Sequence, residues 1–153
     1  MIETALKFVG LLCSGLAAGI TVCVFLAIRA FAGSGQFYTE LMQMLNRALT
    51  VPAPLLGAVA LLAIAVDAAL LFKRGGGVAA WLGVAAVVLS VAAAALTKLG
   101  HFPINDQILT WDPANPPADW IAVQARWSAL HVARTISAVG SFALFLLGAL
   151  VRR

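Results

Sequence analysis

Four stretches of the chain are almost entirely apolar over about twenty residues each, at residues 8–28, 51–72, 75–97 and 127–151. The first and third carry no charged side chain, the second carries Asp67, and the fourth carries His131 and Arg134. Roughly 20 helical residues cross a bilayer core about 30 Å thick, and backbone polar groups in lipid need partners within their own segment. The pattern therefore predicts an all-α bundle of four transmembrane helices, in a single domain over residues 1–153.

Composition supports a membrane protein and argues against a soluble one. Hydrophobic residues make up 63% of the chain and charged residues 10%, whereas soluble domains carry about 25% charged residues. The net charge of +4 comes from basic residues near both membrane faces, where they act as anchors, so nucleic acid is not expected as a partner. Cys13 and Cys23 lie on one helix and are interpreted as packing residues.

The distribution of Lys and Arg predicts the orientation, because basic residues near membrane ends favour the cytoplasm. Five basic residues fall on one side of the membrane and four on the other. Two pairs among the five, Lys73-Arg74 and Arg152-Arg153, lie directly at helix ends. We therefore expect both termini in the cytoplasm and a long loop outside. The two sets are Lys7, Lys73, Arg74, Arg152 and Arg153 on the first side, and Arg29, Arg47, Lys98 and Arg126 on the second.

The segments between the spans differ in character. Residues 73–77 form a minimal connection, which requires the second and third spans to be antiparallel neighbours. Residues 37–48 fit a short amphipathic helix in the membrane interface. Its predicted apolar face consists of Leu41, Met44, Leu45 and Ala48.

The connection between the third and fourth spans is predicted to be a structured outer loop. Asn105 or Asp106 could cap a short helix that runs to Trp111. Asn115 followed by Pro116 is a typical helix start, with Asn as the cap and Pro in the first turn. The last helix is therefore expected to begin there and to project beyond the membrane.

The last helix carries a polar stripe. At about 100° per residue, Trp120, Gln124, Trp127, His131 and Arg134 all fall within about 40° of one line along the helix. A charged group inside a bilayer costs at least about 2.5 kcal/mol, so it normally faces a partner or a cavity. The stripe is therefore expected to point into the bundle and to line a pocket.

Each residue of the stripe also has a structural interpretation. Trp127 could be an interfacial anchor, and Arg134 could be held by backbone carbonyls without any chemical role. His131 by itself could be a buried histidine with satisfied hydrogen bonds. The combination of all three on one face favours the pocket.

The third span ends near a second histidine, His101, which is expected to emerge on the same side of the membrane as His131. Two histidines near one face raise the possibilities of bis-histidine haem ligation and of a metal site. Metal sites usually need three or four ligands, and the nearby carboxylate in sequence is Asp106. We therefore expect no metal and no cofactor, with haem kept as an alternative.

Several motifs of the final third resemble the anthrone-oxygenase-like family of small four-helix membrane proteins. The resemblance implies a multi-pass protein, which we place in a bacterial inner membrane. Fungal relatives oxidise anthrones to anthraquinones with molecular oxygen, without metal or flavin, and many members have no assigned substrate. The motifs are Pro103-Ile104-Asn105, Trp111-Asp112-Pro113, Pro117-Ala118-Asp119-Trp120, Arg126-Trp127, and His131 followed by Arg134-Thr135.

The resemblance implies that the family's functional role carries onto Asn105, Trp127, His131 and Arg134, and the polar stripe together with the resemblance suggests the following roles. His131 would remove a proton from a hydrophobic aromatic substrate, and Arg134 and Asn105 would stabilise the oxyanion that develops. Substrate binding would fall to Trp120, Gln124, Trp127 and His101, with the two tryptophans stacking on the rings. The expected partners are the lipid bilayer, the aromatic substrate and molecular oxygen, and a homo-oligomer is left open.

Two other function classes are compatible with the sequence. The protein could be a non-catalytic membrane component in which His131 and Arg134 hold the bundle together or support a partner. Alternatively, it could bind haem or a quinone and transfer electrons. Neither the substrate nor the physiological pathway follows from the sequence.

Overall fold

The computed structural model describes residues 2–30 and 33–151, and these residues are helical almost throughout, with no strand among them. The predicted all-α fold is confirmed. A π-helical turn, Leu96–His101, joins α4 to α5 without a break. The helices are α1 (Ile2–Ala30), α2 (Gly35–Leu49), α3 (Pro52–Lys73), α4 (Val78–Ala95), α5 (Phe102–Leu109) and α6 (Trp120–Leu150).

Within the described residues, four helical stretches are long and apolar enough to cross a membrane, which confirms the predicted spans. They are Glu3–Ala30, Pro52–Lys73, Val78–Leu109 and Trp120–Leu150. The last two have 32 and 31 residues, about 48 and 46 Å at 1.5 Å per residue, so both exceed the bilayer core. We call the end with the α3–α4 turn the hairpin end, and the opposite end, where α2 and α5 lie, the capped end.

The four spanning helices pack in a ring. α1 contacts α3 and α6, and α4 contacts the same two helices from the other side. The order around the bundle is therefore α1, α3, α4, α6. Small side chains allow close approach near the hairpin end, where a Cβ atom at Gly83 would lie 2.9 Å from Cβ of Ala68.

The hairpin end is closed by three consecutive glycines, Gly75, Gly76 and Gly77, with φ angles of +107°, +74° and +94°. Residues other than glycine are disfavoured at such angles, because their Cβ atom would crowd the backbone. This turn brings α3 and α4 together as antiparallel neighbours, as the short connection predicts.

The amphipathic helix between the first two spans is confirmed as α2, but its predicted face is wrong in part. Tyr38, Thr39 and Met42 are buried, whereas Met44 and Ala48 of the predicted apolar face are exposed. α2 contacts α5 and α3, and its buried side chains join the core at the capped end. The helix therefore covers one end of the bundle. Its predicted face is partly wrong because side chains on other helices decide which face of α2 is buried.

The loop between the third and fourth spans is structured, but its helix boundaries differ from those predicted. The short helix does not start at Asn105 or Asp106; it continues α4 through the π-helical turn and begins at Phe102. The last helix begins at Trp120, after Asp119 at the N-cap, instead of at the Asn115-Pro116 pair. Gln43 of α2 fixes the loop by donating to the Ile108 and Trp111 carbonyls, at 3.2 and 2.9 Å, a bridge between segments that no local pattern encodes.

At the hairpin end, Arg74 forms a salt bridge with Glu3, which joins the start of α1 to the end of α3. Lys7 and Lys73 lie at the same end, as the topology requires. Arg152 and Arg153 lie outside the described residues. The cytoplasmic location of both termini stays a prediction.

Candidate functional site

A cavity of about 430 Å³ lies inside the capped half of the bundle. All four spanning helices and α2 contribute to its wall. Its volume falls in the range of small-molecule sites, roughly 300–1,000 Å³. The cavity is therefore large enough for an aromatic ligand of several rings.

The wall of the cavity is mostly apolar, with two cationic side chains. Arg134 of α6 and Lys98 of the π-helical turn both line it, and among the described residues no Asp or Glu does. Asp67 is buried on α3, at 1% exposure, and does not line the cavity. Two cations facing an apolar space favour a ligand or an intermediate that carries negative charge.

Arg134 is held in place by His131, one turn earlier on α6. Arg134 Nη2 donates to His131 Nδ1 at 2.7 Å, and His131 Nε2 donates to the Thr21 carbonyl of α1 at 2.9 Å. A guanidinium only donates and a carbonyl only accepts, so the two bonds together define the neutral imidazole with its proton on Nε2. His131 is fully buried and therefore orients Arg134 while linking α6 to α1.

Asn105 is oriented by Trp127 in the same way. Trp127 Nε1 donates to Asn105 Oδ1 at 2.8 Å. Because the indole can only donate, it fixes the amide oxygen on its own side and leaves the amide N–H groups of Asn105 to other partners. Both residues line the cavity, so the amide of Asn105 adds a second hydrogen-bond donor to the cavity wall.

The rings that support these two donors pack against each other. Trp127 stacks on His131 with 4.5 Å between ring centroids and an interplanar angle of 17°. The Arg134 guanidinium carbon lies 5.9 Å from the centroid of Trp127, within range of a cation–π interaction. The two donors are therefore held by packed rings, and one of these rings, Trp127, also lines the cavity.

His101, at the end of the π-helical turn that packs on α6, adds a third ring to this group. Its ring meets Trp127 and His131 edge-on, at centroid distances of 5.0 and 5.8 Å. Nδ1 donates to the Leu96 carbonyl at 3.0 Å, five residues earlier and within the π-helical turn. Nε2 is buried without a hydrogen-bond partner among the described residues, so His101 holds the free imidazole lone pair of the site.

The structure brings most of the predicted site residues together. Asn105, Trp127 and Arg134 line the cavity, and His101 and His131 lie directly behind them. Trp120 and Gln124 do not line it. Trp120 packs instead on Tyr38, at 6.0 Å between centroids, and beside Gly35 of α2, because the stripe rises above the cavity and meets the covering helix there.

Other residues of the site have little signal in the sequence. Lys98 lines the cavity from the π-helical turn, and Asn46 lines it from α2. At the inner end, Ser141 donates to the Ala86 carbonyl at 2.8 Å and its hydroxyl lies 2.7 Å from that of Ser90. In the sequence, Lys98 looks like an ordinary basic residue at a helix end and Asn46 like part of an amphipathic helix. The two serines look like small packing residues.

α2, the helix that covers the capped end, carries a buried tyrosine outside the membrane-spanning helices. Tyr38 is 1% exposed, and burial raises the pKa of its phenol above the ordinary value because it disfavours the charged form. Tyr38 therefore stays neutral and acts as a packing residue between α2 and Trp120.

Whether the two histidines could bind a haem depends on which of their ring nitrogens are free. Each axial histidine of a haem needs a free ring nitrogen, and His101 offers Nε2. Both ring nitrogens of His131 are already engaged, with Thr21 and with Arg134. The described residues also contain no group of three or more His, Cys, Asp or Glu placed to share a metal ion. The residues present do not fit a bis-histidine haem in this arrangement.

The fold and the cavity define a class, a multi-pass membrane protein whose helix bundle encloses an apolar, cation-lined cavity. Residues 41–144, about two thirds of the chain, match the sequence profile of the family described as Anthrone oxygenase. The chain therefore belongs to the anthrone oxygenase family, which confirms the resemblance drawn from its motifs. No curated protein and no solved structure matched the chain.

Proposed function

We propose that this protein catalyses the oxygen-dependent oxidation of a hydrophobic aromatic C–H acid of the anthrone type, inside the capped-end cavity. Membership of the anthrone oxygenase family supports this reaction class. The observation that carries it is the placement of Arg134 and Asn105 at the wall of a mostly apolar cavity. Each donor is held by a hydrogen bond, Arg134 to His131 and Asn105 to Trp127.

The chemistry follows from the charge of the site. Loss of a methylene proton from an anthrone gives an enolate, whose negative charge is spread between carbon and the carbonyl oxygen. A guanidinium and an amide N–H beside that oxygen lower the free energy of the anion, most of all in a site with little water. Preorganised donors of this kind contribute about 10²- to 10³-fold to a rate.

The enolate itself supplies the electrons. Transfer of one electron to molecular oxygen gives a carbon radical and superoxide, and their combination with a proton gives a hydroperoxide on the former methylene carbon. Loss of the second hydrogen as a proton, with cleavage of the O–O bond, gives the second carbonyl and water. The sum is one anthrone and one dioxygen converted to one anthraquinone and one water.

The prediction that His131 acts as the base must take account of its hydrogen bonds. To take a proton at Nδ1, His131 must first release Arg134, which donates to that nitrogen. His101 Nε2 carries the free lone pair, but His101 does not line the cavity. The proposal therefore gives Arg134 and Asn105 the main effect, stabilisation of the enolate. His131 orients Arg134 in the resting site and accepts the methylene proton at Nδ1 once Arg134 has turned to the substrate oxygen.

The test is oxygen consumption and anthraquinone formation from anthrone with the purified protein in lipid vesicles, corrected for spontaneous oxidation. Arg134→Gln is expected to lower the enzymatic rate about 100-fold or more, and Arg134→Lys to keep part of it. Arg29→Gln is the matched control, because Arg29 lies over Phe25 near the capped end and does not line the cavity. Equal rates for Arg134→Gln and Arg29→Gln would contradict the proposal. Unchanged turnover in His131→Ala would exclude His131 both as base and as orienting residue.

A further inference from the structure

The cavity wall is unevenly exposed around the bundle. On α1 and α6 the lining side chains are buried or half-buried, as with Val24 and Trp127. On α3 and α4 several lining residues are exposed, including Pro54, Ala58 and Ala94. The cavity is therefore open on the side where α3 faces α4.

This opening lies at the capped end of the α3–α4 pair. Near the hairpin end the two helices are in close contact, since a Cβ at Gly83 would meet Ala68 at 2.9 Å. Towards the capped end both helices instead contribute exposed side chains to the cavity wall. The gap between them is the mouth of the cavity, and we define it by Pro54, Ala58, Ala94 and Lys98.

The mouth faces lipid. Ala58 is the seventh residue of α3, and Ala94 is one residue before the end of α4, so both belong to the membrane-spanning stretches. Exposed apolar side chains surround them, with Leu55 at 61%, Leu62 at 65% and Val91 at 50% exposure. A molecule that passes through the mouth comes from among the acyl chains.

Lys98 gives the mouth a charge preference. It is exposed at the rim and also lines the cavity, and a lysine near a helix end can keep its ammonium at the interface while its stem crosses apolar surface. Arg134 lies further in, and no acidic side chain among the described residues lines the cavity. An anionic group on the ligand would meet a cation both at the rim and inside.

We propose that the ligand enters the cavity sideways from the bilayer, between the capped-end halves of α3 and α4, and that Lys98 selects aromatic molecules that carry an acidic group. Such a ligand is planar, soluble in lipid and bears a carboxylate or an acidic hydroxyl. The inference deepens the proposed function and rests on it for the aromatic class of the substrate. The test measures binding, so it is independent of turnover.

The route is tested by the rate at which anthracene-2-carboxylate reaches the cavity in protein reconstituted into phosphatidylcholine vesicles. Stopped-flow energy transfer from tryptophan to anthracene reports arrival when every variant also carries Trp81→Phe, since Trp127 lines the cavity and Trp81 is exposed at the hairpin end. Ala58→Phe and Ala94→Phe place rings at the mouth and are expected to slow association at least 10-fold. The matched controls are Leu62→Phe and Val91→Phe, on the same helices but outside the cavity wall, and they should associate at the wild-type rate.

The charge preference is tested with Lys98→Met and two probes, anthracene-2-carboxylate and 2-methylanthracene. Loss of a partly exposed ion pair is expected to weaken binding of the carboxylate about 5-fold, with the methyl compound unchanged. Equal effects on both probes would overturn the role of Lys98, and equal association rates in the mouth variants and their controls would overturn the route. If the probe associates more slowly with the mouth variants while the wild type consumes no oxygen with anthrone, the route is supported and the proposed reaction is contradicted. The two failures are therefore distinguishable.

Discussion

The indole of Trp127 stacks on the imidazole of His131 at 4.5 Å, and each ring fixes one donor of the cavity. Trp127 donates to Asn105, and His131 accepts from Arg134. Asn105 and Trp127 lie 22 residues apart in the chain, yet they belong to one rigid unit. The geometry of both donors therefore depends on this ring pair.

Replacing Trp127 by Phe tests that dependence. Phe keeps an aromatic ring for His131 but removes the N–H that holds Asn105 Oδ1, so the amide is free to rotate. One hydrogen bond is worth about 1 kcal/mol, and we expect the oxidation rate to fall about 5- to 10-fold, with a lower thermal midpoint because a smaller ring fills the core less well. The measurement is oxygen consumption with anthrone beside a thermal unfolding curve. A rate equal to that of the wild type would show that Asn105 needs no orientation.

Gly57 offers a way to fill the cavity without disturbing the fold. It lines the cavity, and a Cβ built there meets nothing within 4 Å. Gly57→Phe is expected to weaken binding of anthracene-2-carboxylate at least 10-fold while the protein stays folded. Gly19→Phe is the matched control, because Gly19 also has open space but does not line the cavity. Wild-type affinity in Gly57→Phe would place the binding site elsewhere.

Close packing of α3 on α4 makes a prediction about stability. Any Cβ at Gly83 would lie 2.9 Å from Cβ of Ala68, so Gly83→Leu must push the helices apart. Overpacking of this kind costs about 1–3 kcal/mol, measured as a lower free energy of unfolding in mixed detergent micelles. Gly19→Leu should leave stability unchanged or raise it, since leucine favours helix. Equal stabilities of the two variants would refute the close contact.

The hydrogen bonds of the two histidines predict the spectrum of the purified protein. His131 has no free ring nitrogen, and His101 has one. We therefore expect no absorption spectrum of a bis-histidine haem, also after incubation with haemin and removal of the excess. A Soret band that is lost in both His101→Ala and His131→Ala would favour the electron-transfer alternative.

Much of the architecture follows from the sequence. The four spans could be predicted because hydropathy is a local property, and because lipid requires each span to satisfy its own backbone hydrogen bonds. The glycines at residues 75–77 predict the tight hairpin for an equally local reason. The polar stripe on the last helix also indicates Trp127, His131 and Arg134, since helical periodicity alone puts them on one face.

The arrangement of the site was decided by the tertiary structure. The sequence could not show that His131 is held by Thr21 of α1, that α2 buries Tyr38 and Met42, or that Trp120 packs on α2 above the cavity. These relationships join segments far apart in the chain, and the periodicity of one helix carries no information about the side chains opposite it. The same holds for the opening between α3 and α4, which depends on where the two helices separate. The sequence by itself determined the spans and the polar face, whereas only the packing of helices against one another decided which residues line the cavity.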